Sequence, residues 1–262
     1  MITFIKKKIL SICKYFGYEL KVIAKYSVSR PIQPDNILKE HLEIINKNTM
    51  VNYEGLISLY DQVKYIEENN IIGDFVECGV WKGGCVGLMA LANKRFGRKY
   101  RKLHLFDSFQ GIPEPVEGID GDLALNQANE WSDGGKTGRM RPLPGFYDNY
   151  GGVGTLQDNK DLLEKIIGFP RKHIQYHSGW FNETIPPNKI ESIALLRLDS
   201  DWYESTKICL DSLVSKVVEN GFIIIDDYGT YDGCKKAVDE YFSNRYYFHR
   251  VNQDIIYLVK KS

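Results

Sequence analysis

The chain has 262 residues, with 34 basic and 34 acidic side chains and therefore a formal net charge of zero. That length suits one α/β domain, or one domain with an appendage. A balanced charge argues against a general nucleic-acid binder, which carries a basic excess. Because no run of about 18 apolar residues occurs, no membrane-spanning helix is predicted.

The cysteines are five in number, irregularly spaced and never paired as CxxC, at Cys13, Cys78, Cys85, Cys209 and Cys234. A disulfide or zinc framework normally shows an even number or a repeated spacing. We therefore expect reduced thiols in a cytoplasmic protein.

The first 35 residues form a separate basic segment. Residues 1–26 mix lysines with Ile, Leu, Phe and Tyr at helical spacing, and two prolines in Arg30–Pro34 indicate a linker. Such a helix can pack on the domain or on a second subunit, and it can also lie on an anionic membrane surface. We favour packing or a homo-oligomer contact, with peripheral membrane contact as the alternative.

Residues 36–262 have the pattern of an α/β domain. A helical extension, residues 36–72, contains two predicted helices at about 36–47 and 53–69. The predicted strands that follow are 74–80, 102–107, 173–177, 192–199, 221–227, 245–250 and 254–260, and the predicted helices are 84–96, 158–167, 205–219 and 231–244. Their near-continuous apolar runs are typical of a parallel sheet buried on both faces.

The predicted elements at the end of the chain distinguish between two kinds of parallel α/β fold. A last helix followed by two strands predicts a C-terminal antiparallel hairpin, whereas a dinucleotide dehydrogenase would more often continue with another βαβ unit. We therefore predict a Rossmann-like class I methyltransferase fold, with a mostly parallel seven-stranded sheet and helices on both faces. Residues 111–156, rich in Gly, Pro, Asp, Asn and Trp, show no clear period, and loops of this length are usually functional lids or disordered segments.

A glycine-rich turn follows the first strand. In open α/β sheets, ligands bind beyond the carboxyl ends of the strands at the topological switch point. Gly79, Trp81 and Gly83 belong to this turn, and Glu77 would repel a pyrophosphate but attract the ammonium and sulfonium of S-adenosylmethionine. The turn thus predicts a binding site for that cofactor.

Two further strand ends complete the predicted cofactor site. Asp107 closes the second strand and can accept hydrogen bonds from ribose hydroxyls, with Ser108 beside it. Its alternative role is to cap the turn that follows. The third strand ends in Ser178, Gly179 and Trp180, which can supply polar groups and an aromatic wall for adenine.

Clustered acids follow the next two strands. Asp199 and Asp201 end the fourth strand, and Asp226 and Asp227 end the fifth. If these strands are neighbours, the carboxylates lie close together and repel one another unless a cation or protons intervene. Oxygen ligands favour Mg²⁺, with Mn²⁺ or Ca²⁺ as alternatives. We predict Asp199, Asp226 and Asp227 as metal ligands, with Asp199 also facing the cofactor.

Asp201 is the predicted general base. It follows Asp199 by two residues and can take the proton of an acceptor hydroxyl, which a divalent ion orients and acidifies. The alternative is that Asp201 or Ser205 caps the next helix. His177 is the competing base.

Five segments together resemble the macrocin O-methyltransferase family, and the likeness runs from about Thr49 to Phe242. They are VECGVWKGG (76–84), LFDSFQGIPEP (105–115), SGWFNETIP (178–186), LRLDSDWYESTKICLDSL (196–213) and GFIIIDDYGTYDGCKKAVDEYF (221–242). The resemblance implies methylation of a sugar hydroxyl, dependent on Mg²⁺ and S-adenosylmethionine, often on a glycosylated natural product. It matches Asp199, Asp226 and Asp227 to the metal ligands of the family and Asp201 to its catalytic aspartate.

The acceptor is less defined than the chemistry. In relatives the segment equivalent to 111–156 covers the acceptor, but it is not matched closely here, and Cys85 replaces a residue that is commonly small. A surface glycan in polysaccharide biosynthesis and a glycosylated natural product both suit the pattern. A small aromatic diol, as in catechol methylation, is the alternative acceptor. A non-catalytic adenosine-ligand-binding protein is a further alternative, although such a protein need not retain four mutually repelling carboxylates.

Overall fold

Seven strands lie side by side in one sheet in a computed structural model of the chain, which describes residues 35–243 and 246–261. The strands are β1 (Asp74–Cys78), β2 (Leu103–Asp107), β3 (Ile174–Ser178), β4 (Ile193–Leu198), β5 (Val217–Ile225), β6 (His249–Arg250) and β7 (Ile256–Val259). Their order across the sheet is β3-β2-β1-β4-β5-β7-β6. The predicted fold class is confirmed, because β1 to β5 are parallel to one another and β7 pairs antiparallel with both β5 and β6.

The helices agree closely with the predicted ones in the first half of the chain. In order they are α1 (Asn36–Ile45), α2 (Tyr53–Glu68), α3 (Gly84–Phe96), α4 (Gly121–Trp131), α5 (Leu156–Lys160), α6 (Phe181–Thr184), α7 (Tyr203–Leu213) and α8 (Asp232–Phe242). Asp35 and Asn52 cap the first two through side-chain oxygens that accept backbone N–H groups. Such residues at a helix N-terminus satisfy donors that have no partner within the helix.

Successive side chains of each central strand point to opposite faces of the sheet, and each face is covered by its own hydrophobic core. Phe75 and Leu195 pack with α1, α2 and α3 on one face, whereas Val76 and Leu196 pack with α7 and α8 on the other. This double burial explains why the strands read as continuous apolar runs rather than alternating ones. Since β2 and β4 flank β1, the chain reverses its direction of winding at β1, and the turn after β1 lies at the switch point.

Three predicted boundaries are wrong in the second half. Helix 205–219 ends at Leu213, because the β-branched residues Val217 and Val218 already belong to β5. Helix 158–167 begins earlier, at Leu156, and continues as a π-helical turn over Asp161–Ile166. Of the predicted strand 245–250, the structure describes residues 246–250, and among these only His249–Arg250 pairs.

The long segment 111–156, called the lid below, contains regular structure that its composition did not indicate. Helix α4 lies within it and buries only Ala124 and Ala128. Glu114 and Asp133 both form ion pairs with Arg141. Because α4 buries so few apolar side chains, its hydrophobic period is too weak to read from the sequence.

None of the helices within 35–243 and 246–261 is long and apolar enough to cross a membrane. The four cysteines in these ranges are buried and free, as expected of reduced thiols. Cys13 and the predicted basic helix 1–26 lie outside the described residues.

A buried ion pair joins the helical extension to the sheet. Arg101 donates Nε–H to Glu67 Oε1 at 2.6 Å and Nη2–H to Oε2 at 3.1 Å, and both side chains are less than a tenth exposed. Asn93 donates to the same carboxylate, and Arg101 also donates to the carbonyl of Gly73. The arrangement ties α2, α3 and Gly73, the residue before β1, to Arg101, two residues before β2.

We expect Glu67→Gln to lower the free energy of unfolding by about 3 to 5 kcal/mol, because it leaves the Arg101 guanidinium buried without its counter-charge. Glu68→Gln is the matched control, since Glu68 forms an exposed pair with Lys64 at 3.8 Å, and such pairs contribute at most about 1 kcal/mol. Urea unfolding measures both. Equal losses in the two variants would contradict the assigned role of Glu67.

Candidate active site

A cavity of about 540 Å³ opens at the carboxyl ends of β1, β2, β4 and β5. That size lies within the range of small-molecule sites in proteins. Most of the predicted site residues line it together, namely Glu77, Gly79, Trp81, Asp107, Ser108, Trp180, Asp199, Asp201, Asp226 and Asp227. The opposite wall comes from the lid and includes Gln127, Trp131, Phe146, Tyr147 and Tyr150.

Arg197 is the centre of the polar network, and the sequence interpretation missed it. Its side chain on β4 is 3 % exposed and forms ion pairs with Glu77, Asp199 and Asp226, at Nη–O distances of 2.5, 2.9 and 2.9 Å. The sequence did offer a signal for Arg197, because it is the one charged residue in the otherwise apolar strand IALLRL. A buried arginine requires ion-pair or hydrogen-bond partners. The guanidinium therefore connects the ends of β1, β4 and β5.

One guanidinium does not neutralise this cluster. Burial raises the pKa of Glu77 to about 8 and that of Asp226 to about 7, although Arg197 lowers both. Burial and the neighbouring acids also raise the pKa of Asp227 well above its usual range. Near neutral pH such a cluster either takes up protons or accepts further positive charge.

Asp199, Asp226 and Asp227 are arranged so that one carboxylate oxygen from each lies within 4.8 Å of the others. Strands β4 and β5 are adjacent and parallel, as the sequence interpretation required. Asp227 Oδ2 is buried without a hydrogen-bond partner among the described residues, and Arg197 pairs with only one oxygen each of Asp199 and Asp226. Three converging carboxylates with unused oxygens fit a hard divalent cation such as Mg²⁺.

Asp107 holds the glycine-rich turn against the second strand. Its Oδ2 accepts the backbone N–H groups of Val80 and Trp81 at 2.8 and 3.2 Å, and its Oδ1 accepts that of Phe109 at 2.7 Å. The capping role considered from the sequence is therefore present. A carboxylate has about four acceptor positions, so one remains for a ligand hydroxyl.

Gly79 and Trp81 shape the turn itself. A Cβ atom on Gly79, at φ +82°, would lie 1.8 Å from the carbonyl oxygen of Asp199, so only glycine lets the ends of β1 and β4 approach this closely. Trp81 donates its indole N–H to the carbonyl of Gly152 at 3.1 Å. The Trp81 ring therefore lines the cavity, while its N–H joins the turn after β1 to the lid.

Asp201 lies next to the metal-ligand candidates, with its backbone at φ +55°. Burial raises its pKa well above the usual range, and the charges of Asp199 and Asp226 add to this effect. The alternative that Asp201 or Ser205 caps α7 is wrong, because the N–H of Tyr203 donates instead to Asp120 Oδ1 of the lid at 2.7 Å. Asp201 is therefore not engaged in helix capping.

Four residues considered from the sequence lie outside the cavity wall. Gly83, Ser178 and Gly179 do not line it; Gly83 instead permits close packing against Asn159. His177, the competing base, stacks on Phe106 with 4.0 Å between ring centroids. Burial lowers its pKa to about 4, and it does not line the cavity either.

Structural relatives identify the class of protein. The O-methyltransferase NovP is 31 % identical, with a TM-score of 0.62 over 82 % of this chain and 83 % of NovP. The calicheamicin methyltransferase CalS11 shares the fold at 16 % identity, with a TM-score of 0.56 over 92 % of this chain and 100 % of CalS11. The chain is thus a Rossmann-like methyltransferase.

The family follows from sequence comparison. The profile of the macrocin-O-methyltransferase family matches residues 45–134 and 162–258. The demethyldecarbamoylnovobiocin O-methyltransferase of Streptomyces niveus is 35 % identical over 199 residues, 75 % of this chain and 68 % of the relative. A tetracenomycin 4′-O-methyltransferase of Streptomyces olivaceus is 31 % identical over 198 residues, 74 % of this chain and 67 % of the relative. The chain belongs to the macrocin-O-methyltransferase family and is an O-methyltransferase.

We expect Gly79→Ala to destabilise the protein far more than Gly118→Ala. Both glycines have φ near +80°, but a Cβ on Gly118 meets nothing within 4 Å. Gly118→Ala, the control, should lower the free energy of unfolding by about 1 to 2 kcal/mol, because alanine is strained in the left-handed backbone conformation. Gly79→Ala should lower it by about 3 kcal/mol more, because its Cβ also clashes with Asp199. Thermal unfolding at matched protein concentration measures the difference, and equal costs would refute the close approach.

Proposed function

We propose that this protein transfers the methyl group of S-adenosylmethionine to a sugar hydroxyl of a glycosylated acceptor, with a divalent cation, Mg²⁺ by preference, in the site. The observation that carries the proposal is a single cavity that joins the turn after β1 to four acids, Asp199, Asp201, Asp226 and Asp227. Support for a sugar acceptor comes from the tetracenomycin relative, whose substrate name includes a dimethoxy-rhamnosyl group. A surface glycan or a glycosylated natural product fits equally.

Glu77 and its turn suit the amino-acid end of the cofactor. Arg197 donates a hydrogen bond to Glu77 Oε1, whereas Glu77 Oε2 is buried with no hydrogen-bond partner in the described part of the chain. An ammonium group can donate to that oxygen. Asp107 can accept from a ribose hydroxyl, and Trp180 with Ser108 can border the adenine. Gly83, Ser178 and Gly179 then shape the backbone around the cofactor without lining the cavity.

Asp199, Asp226 and Asp227 would hold the cation. When bound, a divalent ion orients the acceptor hydroxyl and lowers its pKa. Arg197 keeps the Asp199 and Asp226 carboxylates directed towards the cavity by pairing with one oxygen of each. Asp199 thereby adjoins both the cofactor and the cation.

Asp201 would accept the proton of the acceptor hydroxyl on its carboxylate. Asp201 lines the same cavity as the three metal-ligand candidates, so its carboxylate is placed to take that proton within the site. Lid residues 111–156 cover the cavity from the opposite side, where Trp131, Phe146, Tyr147 and Tyr150 exclude water and offer ring faces to the acceptor.

We expect Asp201→Asn to slow methyl transfer by about a hundredfold or more, because the amide cannot accept the proton. Calorimetric affinities for S-adenosylmethionine and Mg²⁺ should change little. Asp211→Asn, in the exposed i,i+4 pair with Lys207, is the matched control and should leave the rate unchanged. A normal rate for Asp201→Asn would assign the base elsewhere.

Chelation should abolish methyl transfer, and added Mg²⁺ should restore it, because the acids need a compensating cation. Asp227→Asn should weaken Mg²⁺ binding by about tenfold or more in calorimetry. NAD serves as the control ligand and should not bind, whereas S-adenosylmethionine should. Full activity in EDTA would remove the cation from the proposal, and tight NAD binding would refute the assigned cofactor.

A further inference from the structure

A second, much smaller cavity lies behind the active site, between α2 and the ends of β4 and β5. Its volume is about 10 Å³, close to the minimum that holds one water molecule. Helix α2 contributes Ser58 and Gln62 to its wall, and the two strand ends contribute Arg197 and Asp226. The cavity thus borders the far side of a metal-ligand candidate.

Three buried polar atoms on residues lining this cavity have no hydrogen-bond partner among residues 35–243 and 246–261. They are Gln62 Oε1, Arg197 Nη2 and Asp226 Oδ1. Arg197 Nη2 and Asp226 Oδ1 lie 2.9 Å apart as an ion pair, and each atom keeps hydrogen-bonding capacity beyond that contact, because the nitrogen carries two hydrogens and the oxygen two lone pairs. A buried polar atom without a hydrogen bond is unfavourable, and this applies most directly to Gln62 Oε1, which has no charged neighbour paired with it.

The three atoms match the hydrogen-bonding capacity of water. Gln62 Oε1 and Asp226 Oδ1 each accept one hydrogen, and Arg197 Nη2 donates one. A water molecule has two hydrogens to donate and can accept the third bond. Gln62 is oriented for this role, because its Nε2 already donates to the Ser58 hydroxyl at 3.2 Å and leaves Oε1 free.

We propose that this cavity binds one ordered water, which donates to Gln62 and Asp226 and accepts from Arg197. Gln62, 1 % exposed on α2, is then a positioning residue, because it holds Asp226 through the water. Groups that orient a metal ligand from behind typically change metal affinity by about 10- to 100-fold. This second consequence rests on the proposed function, whereas the water site does not.

A crystal structure of the unaltered protein tests the water site directly. We expect one ordered water within hydrogen-bond distance of all three atoms, whether or not Mg²⁺ is bound. A dry cavity, or a direct Gln62–Arg197 contact in place of the water, would overturn the proposal. This measurement requires no variant to fold.

Gln62→Leu tests the positioning role. The variant removes one acceptor at nearly constant volume, so Mg²⁺ affinity in calorimetry should fall about tenfold while S-adenosylmethionine affinity stays unchanged. Val63→Ala, fully buried on the same helix, is the control that lowers the melting temperature without changing Mg²⁺ affinity. Unchanged Mg²⁺ affinity in a folded Gln62→Leu variant would refute the positioning role.

The two proposals fail separately. If the unaltered protein binds no Mg²⁺, the cation of the proposed function is wrong and the positioning role falls with it. The crystallographic result still decides whether the water site exists. If Mg²⁺ binds and the cavity is dry, the proposed function stands and the water site is refuted.

Discussion

Arg197 gathers three carboxylates from three neighbouring strands around one guanidinium, with Glu77 from β1, Asp199 after β4 and Asp226 after β5. Each of these acids would be costly to bury alone, and each is tolerated because the same cation adjoins it. The pairing also fixes how the strand ends stand relative to one another. Because three carboxylates share one guanidinium, the network can accept a further cation, and this is the physical link between the fold and the metal-assisted methyl transfer that we propose.

Hydrogen bonds join the lid to the turns that follow β1 and β4. Asp120 caps α7 through the N–H of Tyr203, and Trp202 donates its indole N–H to the carbonyl of Pro113 at 2.9 Å. At the other end of the lid, Trp81 donates to Gly152. The segment is thus attached on both sides of the cavity. The stretch 135–161, which includes Phe146, Tyr147 and Tyr150 of the cavity wall, lies between the two regions matched by the family profile, so family membership constrains this part of the wall least.

Much of the fold could be predicted because its signals are local. Strands β1, β2 and β4 are short apolar runs that end in glycine or acid, and the acidic pairs Asp199–Asp201 and Asp226–Asp227 mark two strand ends in the sequence itself. Arg197 could not be assigned a role, because two of its three partners, Glu77 and Asp226, are 120 and 29 residues away at the ends of other strands. Ser178 and Gly179 show the opposite error: they lie at the carboxyl end of β3, at the correct edge of the sheet, but adjacency along the chain does not decide which residues reach the cavity.

The sequence by itself determined the succession of the seven strands along the chain, the acidic strand ends and the family, since each depends on residue types and spacing along one stretch of chain. Only the tertiary structure decided which acids converge, because convergence depends on the lateral order of the strands. It also decided that Asp120 of the lid, rather than Asp201, caps α7. Hydrogen bonds and ion pairs act over a few ångströms, so their partners are selected by packing and not by distance along the sequence.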